Sequence, residues 1–136
     1  MPDSVKTTGV HHARLTVSDP NRSLAFYKLL GFEELMPFPD GVLVTNGTLI
    51  LGLRTAPDAT RAVAAERFDP NRIGLDHLSI LVASRDDLDT AVEVCKANGV
   101  TCGEVVDFGP VFRFYVVMLE DPDGVQIELT ALYPPD

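Results

Sequence analysis

Apolar and polar residues alternate along "HARLTV" (12–17), with Ala13, Leu15 and Val17 on one side of an extended run and His12, Arg14 and Thr16 on the other. The same alternation returns in "HLSILV" (77–82), where Leu78, Ile80 and Val82 oppose His77, Ser79 and Leu81. Both stretches fit one pattern: His, two residues, an aliphatic residue, one residue, Val. Each is followed by a polar break, "SDPNRS" or "ASRDDLD", and then by a helical pattern closing on Gly31 with Phe32 or Gly99 with Val100. Ser18 or Asp19 is placed to cap the first helix and Ser84 the second.

Strand-like runs follow each helix: "GVLVTN" and "TLILGLRT" in the first half, "RFYVVMLE" and "GVQIELTAL" in the second. "NG" at 46–47 and "DPDG" at 121–124 supply turn residues. Each half therefore predicts a strand, a helix and three strands. The first module spans residues 8–55 and the second 75–133. Residues 56–74 read as a linker, within which "ATRAVAAERF" predicts a short helix. A module of about 55–60 residues buries too little surface to be secure alone. The expected architecture is α+β: two βαβββ modules whose sheets curl toward each other around a cavity.

Composition narrows the function. The chain has 136 residues, 46% of them hydrophobic, enough for a real core. Acids outnumber bases 20 to 11, for a net charge of −9, which argues against gripping nucleic-acid phosphates or an acidic membrane surface. No apolar run approaches the roughly 20 residues that span a bilayer. "MPDSVKTTGV" lacks the apolar core of a signal peptide, and the reading is cytoplasmic. Cys95 and Cys102 flank a glycine turn and read as ordinary reduced thiols.

The chemistry lies on the polar sides of the strands. In the last strand Val125, Ile127 and Leu129 face the core, leaving Gln126, Glu128 and Thr130 opposite. His12, His77 and Glu128 thus converge if the two sheets face one another. Two neutral imidazoles and one carboxylate are a common first shell for a divalent metal, with positions left for water or substrate. His11 falls with the core-side set at the frayed start of its strand. Aligning "LILGL" with "VQIEL" sets Gly52 opposite Glu128, so the first copy contributes no carboxylate there. Arg14 shares the face of His12, Arg54 lies two residues beyond Gly52, and Phe114, Val116 and Met118 alternate as an apolar wall. Arg14, Arg54, Gly52, Phe114 and Met118 are therefore candidate substrate-binding positions. No candidate general base stands out.

"HARLTVSDPNRSLAFYKLLGF", "LDHLSILV" and "EDPDGVQIEL" together resemble the vicinal oxygen chelate superfamily, which holds glyoxalase I, methylmalonyl-CoA epimerase, extradiol dioxygenases, fosfomycin resistance transferases and bleomycin-binding proteins. The resemblance covers nearly the whole chain. It implies the paired βαβββ fold, a metal held by His12, His77 and Glu128, and commonly a homodimer. Glyoxalase-like and epimerase-like members carry a fourth ligand, Glu or Gln, where this chain has Gly52, which counts against lactoylglutathione lyase chemistry. Dioxygenases and fosfomycin resistance proteins place a tyrosine where this chain has Met118. The expectation is an enzyme using Fe, Mn, Ni, Co or Zn on a small oxygen-rich substrate, as lyase, isomerase, transferase or dioxygenase. The alternative is a metal-free binder of an antibiotic-like molecule.

Overall fold

The computed structural model describes residues 3–63 and 68–136. The chain divides into two compact units, Met1–Ala62 and Val63–Asp136.

In the first unit, β1 (Ala13–Thr16) leads into α1 (Pro20–Leu29), followed by β2 (Glu33–Phe38), β3 (Gly41–Thr45) and β4 (Ile50–Arg54). The helix starts where its free amides find an acceptor. Asp19 Oδ1 accepts from the backbone of Asn21 at 3.0 Å and of Arg22 at 3.3 Å, with Pro20 in the first turn. Ser18 is therefore not the cap, and its Oγ instead accepts from the Arg22 guanidinium at 2.7 Å. Gly31, at φ 85°, ends the helix in a conformation that side chains resist. The helix carries the chain across the sheet, so β1 pairs in parallel with β4 and the order is β1-β4-β3-β2. Phe26, Tyr27 and Phe32 pack over Val42, Val44, Leu51 and Leu53 to form the core of this unit.

The second unit repeats the plan. β5 (Leu78–Val82) precedes α2 (Arg85–Ala97), then β6 (Val106–Asp107), the short α3 (Gly109–Phe112), β7 (Phe114–Glu120) and β8 (Gln126–Leu132), in the order β5-β8-β7-β6. Ser84 caps α2 in a capping box, its backbone N–H donating to Asp87 Oδ2 at 3.0 Å. Leu88 and Cys95 of α2 are buried, as are Ile80, Val117, Leu119, Ile127 and Leu129 of the sheet.

Four details depart from the sequence reading. The strands begin at Ala13 and Leu78, so His12 and His77 flank the ladders rather than lie in them. His11 is exposed rather than core-side, because the pleat sets side-chain direction only once pairing has begun. Of the helix expected in the linker, only one 3-10 turn, Ala59–Arg61, is present among the described residues, and 64–67 lie outside them. No sequence run located β6, the first of the three strands expected after α2, and the short α3 is an addition to the expected plan. Asp107 holds this corner, its Oδ1 accepting from Gly109 N at 2.7 Å and from the Tyr133 hydroxyl.

Two glycines of the first sheet differ in what surrounds them. A Cβ on Gly41 would meet the Leu53 carbonyl oxygen at 2.0 Å and Arg54 Cα at 2.9 Å, both backbone of the neighbouring strand. A Cβ on Gly52 would lie 3.5 Å from Arg14 Cγ and from Leu43 Cδ2, ordinary contact distance. Gly41→Ala is expected to destabilise the fold by about 1–3 kcal/mol or more through overpacking. Gly52→Ala is expected to be neutral or to stabilise by about 0.5–1 kcal/mol, since glycine inside a strand is the costlier residue. Urea denaturation of both variants checks the contrast.

Cys95 is buried beside Cys102. Burial, and then the neighbouring thiol, push the Cys95 thiol up to about 12. Alkylation at pH 8 is expected to modify half-buried Cys102 and spare Cys95 until the chain unfolds, as read by mass spectrometry.

Candidate functional site

The placement of Glu128 begins with a buried turn. Asp121 is only 4% exposed, and its Oδ1 accepts from the backbone N–H of Asp123 and of Val125, each at 2.9 Å. Its own N–H donates to the Val125 carbonyl at 2.9 Å, and Gly124 takes φ 82° to complete the turn. β8 leaves that turn in a fixed register, parallel to β5 with Ser79 opposite Glu128 and antiparallel to β7 with Met118 opposite Glu128. Ser79, Glu128 and Met118 therefore share one face of the second sheet.

His77, two residues before Ser79, reaches the same carboxylate. Its Nε2 stands 3.4 Å from Glu128 Oε2, while its Nδ1–H donates to Asp76 Oδ1 at 2.7 Å. The other oxygen of Glu128 is held as well, because Thr130 Oγ1 donates to Oε1 at 3.0 Å. A hydroxyl has one hydrogen, so Ser79 Oγ must be the donor in its 2.6 Å bond to Thr130. The relay Ser79 to Thr130 to Glu128 leaves Oε2 directed toward His77. The Glu128 side chain is 13% exposed and that of His77 33%.

The pair has a chemical peculiarity. With its proton on Nδ1, neutral His77 presents a lone pair at Nε2, and Glu128 Oε2 presents another. Two acceptors face each other across a gap longer than the roughly 2.7–3.2 Å of an N–H···O bond. A cation satisfies both. A second proton on the imidazole is one such cation and a divalent metal is another. Donor atoms of a tetrahedral site with bonds of about 2.1 Å stand about 3.4 Å apart, so the donors present fit a metal. A carboxylate on the opposite ring nitrogen is the usual support for a metal-binding histidine.

The first unit reproduces the frame with different side chains. Arg14 pairs with Gly52 as Ser79 pairs with Glu128, and Leu43 lies opposite Gly52 as Met118 lies opposite Glu128. Gly52 is thus the topological counterpart of Glu128, and His12, two residues before Arg14, that of His77. The Nδ1 atoms of His11 and His12 share a hydrogen bond of 2.7 Å, which leaves His12 Nε2 unbonded within this unit. His11 thus ties down Nδ1 of His12 as Asp76 ties down that of His77, with the difference that an imidazole can donate or accept there and a carboxylate only accepts.

Among the predicted residues, His77 and Glu128 meet. Met118, Val116 and Phe114 lie on the Glu128 face, and Phe114 stacks with Phe108 and Phe112 at ring separations of 5.2 and 6.0 Å. Arg14, Gly52 and Arg54 share the corresponding face of the first sheet. His12 belongs to the first unit, and among the described residues no three His, Cys, Asp or Glu side chains form one metal-holding group. The sequence reading gives Asp76, Ser79 and Thr130 no role and sets His11 on the core side. The shared position of Asp76 and His11, each just before the repeated histidine, is the signal from which those two could have been found.

The family model described as Glyoxalase/Bleomycin resistance protein/Dioxygenase superfamily matches residues 9–129. Among solved structures, a glyoxylase/bleomycin resistance protein/dioxygenase domain from Frankia sp. EAN1pec is 26% identical, with a TM-score of 0.76 and 96% of each chain covered. A fosfomycin resistance protein from Listeria monocytogenes is 20% identical, with a TM-score of 0.71 over 93% of this chain and 94% of that one. A lactoylglutathione lyase from Agrobacterium tumefaciens is also 20% identical, with a TM-score of 0.68 over 93% and 96%. The last two likenesses speak to fold alone. No curated protein matches the chain.

Proposed function

The chain belongs to the Glyoxalase/Bleomycin resistance protein/Dioxygenase superfamily, and from that premise we propose that it is a metal-dependent enzyme acting on a small oxygen-rich molecule. His77, Glu128 and His12 are the proposed ligands, and Fe, Mn, Ni, Co or Zn suits that donor set. The observation that carries the reading is the pair of facing acceptors, His77 Nε2 and Glu128 Oε2, 3.4 Å apart and each held from behind. A bound metal supplies Lewis acidity toward two neighbouring substrate oxygens. The chain's own residues do the rest. Asp76 keeps the His77 proton on Nδ1, Thr130 and Ser79 aim Glu128, and Met118 and Phe114 exclude water on the same face. The proposal includes a homodimer in the cytoplasm; among the described residues no helix is long and apolar enough to cross a membrane.

A second reading, a metal-free binder of a small molecule, has one observation in its favour: the described residues contain no three-donor group. Metal content separates the two. Protein purified without chelators is expected to bind one divalent metal per chain by elemental analysis, and His77→Ala to lose it. Asp76→Asn, which removes only the support behind the imidazole, is expected to weaken metal binding by about 10–100-fold in a competitive titration. Native protein that neither carries nor takes up a divalent metal would overturn the enzyme reading.

A further inference from the structure

The open face of the first sheet carries two arginines without counter-charges. Parallel pairing sets Arg14 of β1 opposite Gly52 of β4 and Thr16 opposite Arg54. Arg14, Thr16 and Arg54 therefore project from one face, with the two arginine backbones about 8 Å apart by strand spacing and rise. The stem of Arg14 lies across Gly52: its Cγ and Cβ stand 3.5 and 3.7 Å from where a Cβ on Gly52 would be. Among the described residues neither guanidinium has a hydrogen-bonding or carboxylate partner, whereas Arg85 and Arg113 reach Asp89 and Asp136 at 2.8 and 3.2 Å. The register puts one carboxylate on this face, Glu33 of β2, paired with Thr45 and level with Ile50. That is two strands from Arg54 and three from Arg14, about 15 Å away.

In a chain with 20 acids and 11 bases, two arginines left facing each other without an acid between them are a strong local departure. Like charges at this spacing repel, and an anion reverses the sign of the interaction. Two guanidiniums present planar sets of donors that match carboxylate and phosphate oxygens, and the Thr16 hydroxyl adds a further donor. Gly52 is what keeps the site open, since a carboxylate at that position would occupy Arg14 itself.

We propose that Arg14 and Arg54, diagonal neighbours with Thr16 and Gly52 at the other two corners, form an anion-binding site that selects substrates bearing a carboxylate or phosphate group. This deepens the small-molecule reading above, yet it rests on side chains of the first sheet and needs no metal.

Isothermal titration at constant ionic strength, with chloride as the background anion, tests it using inorganic phosphate and malonate as probes. The full chain is expected to bind at least one of them saturably, and Arg14→Ala and Arg54→Ala each to weaken binding by about tenfold or more. Chelator-treated and untreated protein are expected to bind with affinities within about threefold. Absence of saturable binding, binding that survives either arginine substitution, or binding that disappears on chelator treatment overturns the proposal. Should an alanine variant misfold by circular dichroism, Gly52→Glu keeps both arginines and sets a carboxylate beside Arg14; retained binding in that variant overturns it equally. Loss of metal uptake with intact phosphate or malonate binding, and the reverse, distinguish failure of the enzyme reading from failure of this one.

Discussion

Much of the second unit depends on where its last strand starts, and the Asp121 carboxylate decides that. Buried away from water, it must find donors, and it takes the amides of Asp123 and Val125. The turn closes at Gly124, and every residue of β8 then has an assigned neighbour. A one-residue slip would send Ile127 and Leu129 to the open face and Glu128 into the core. The most family-specific motif of the chain, "DPDGVQIEL", is thus largely a device for register. Its one chemical residue inherits its position from the turn.

The two units show how the same backbone frame can be given different chemistry. Each places a histidine just before the first strand and ties its Nδ1 to the preceding residue. In the second unit Nε2 stands against Glu128, and in the first it has no partner within the unit. The strand beside it then carries a carboxylate in one unit and a glycine in the other. Around Glu128, hydroxyls and a second carboxylate arrange donors and acceptors. Around Gly52 the neighbours are cationic.

The alternating patterns were legible because each sheet has one face covered by its own helix, so period two separates core residues from the rest. That suffices to pick out His77 and Glu128 and to align Gly52 with Glu128. His11 was misread for a definable reason. Alternation was extended two residues beyond the point where β1 pairs, and side chains outside the ladder answer to hydrogen bonding instead. The segment "VVDFGPVFRF" shows neither period, so the position of β6, and α3 itself, emerge only from the structure, where Asp107 anchors them through Gly109 and Tyr133. The roles of Ser79 and Thr130 depend on which hydroxyl holds the single available proton, a matter of atoms at bonding distance that no residue pattern encodes.

Gly52 has a consequence of another kind. Its Cβ position has room, its backbone is ordinary strand, and its neighbours along the strand, Leu51 and Leu53, are apolar like Ile127 and Leu129 beside Glu128. Around it, Arg14 and Arg54 stand where the second unit has Ser79 and Thr130. A fold duplicated in this way can turn its second frame to another use: the scaffold leaves space at position 52, and the side chains bordering that space are cations instead of the hydroxyls that hold a carboxylate in the twin.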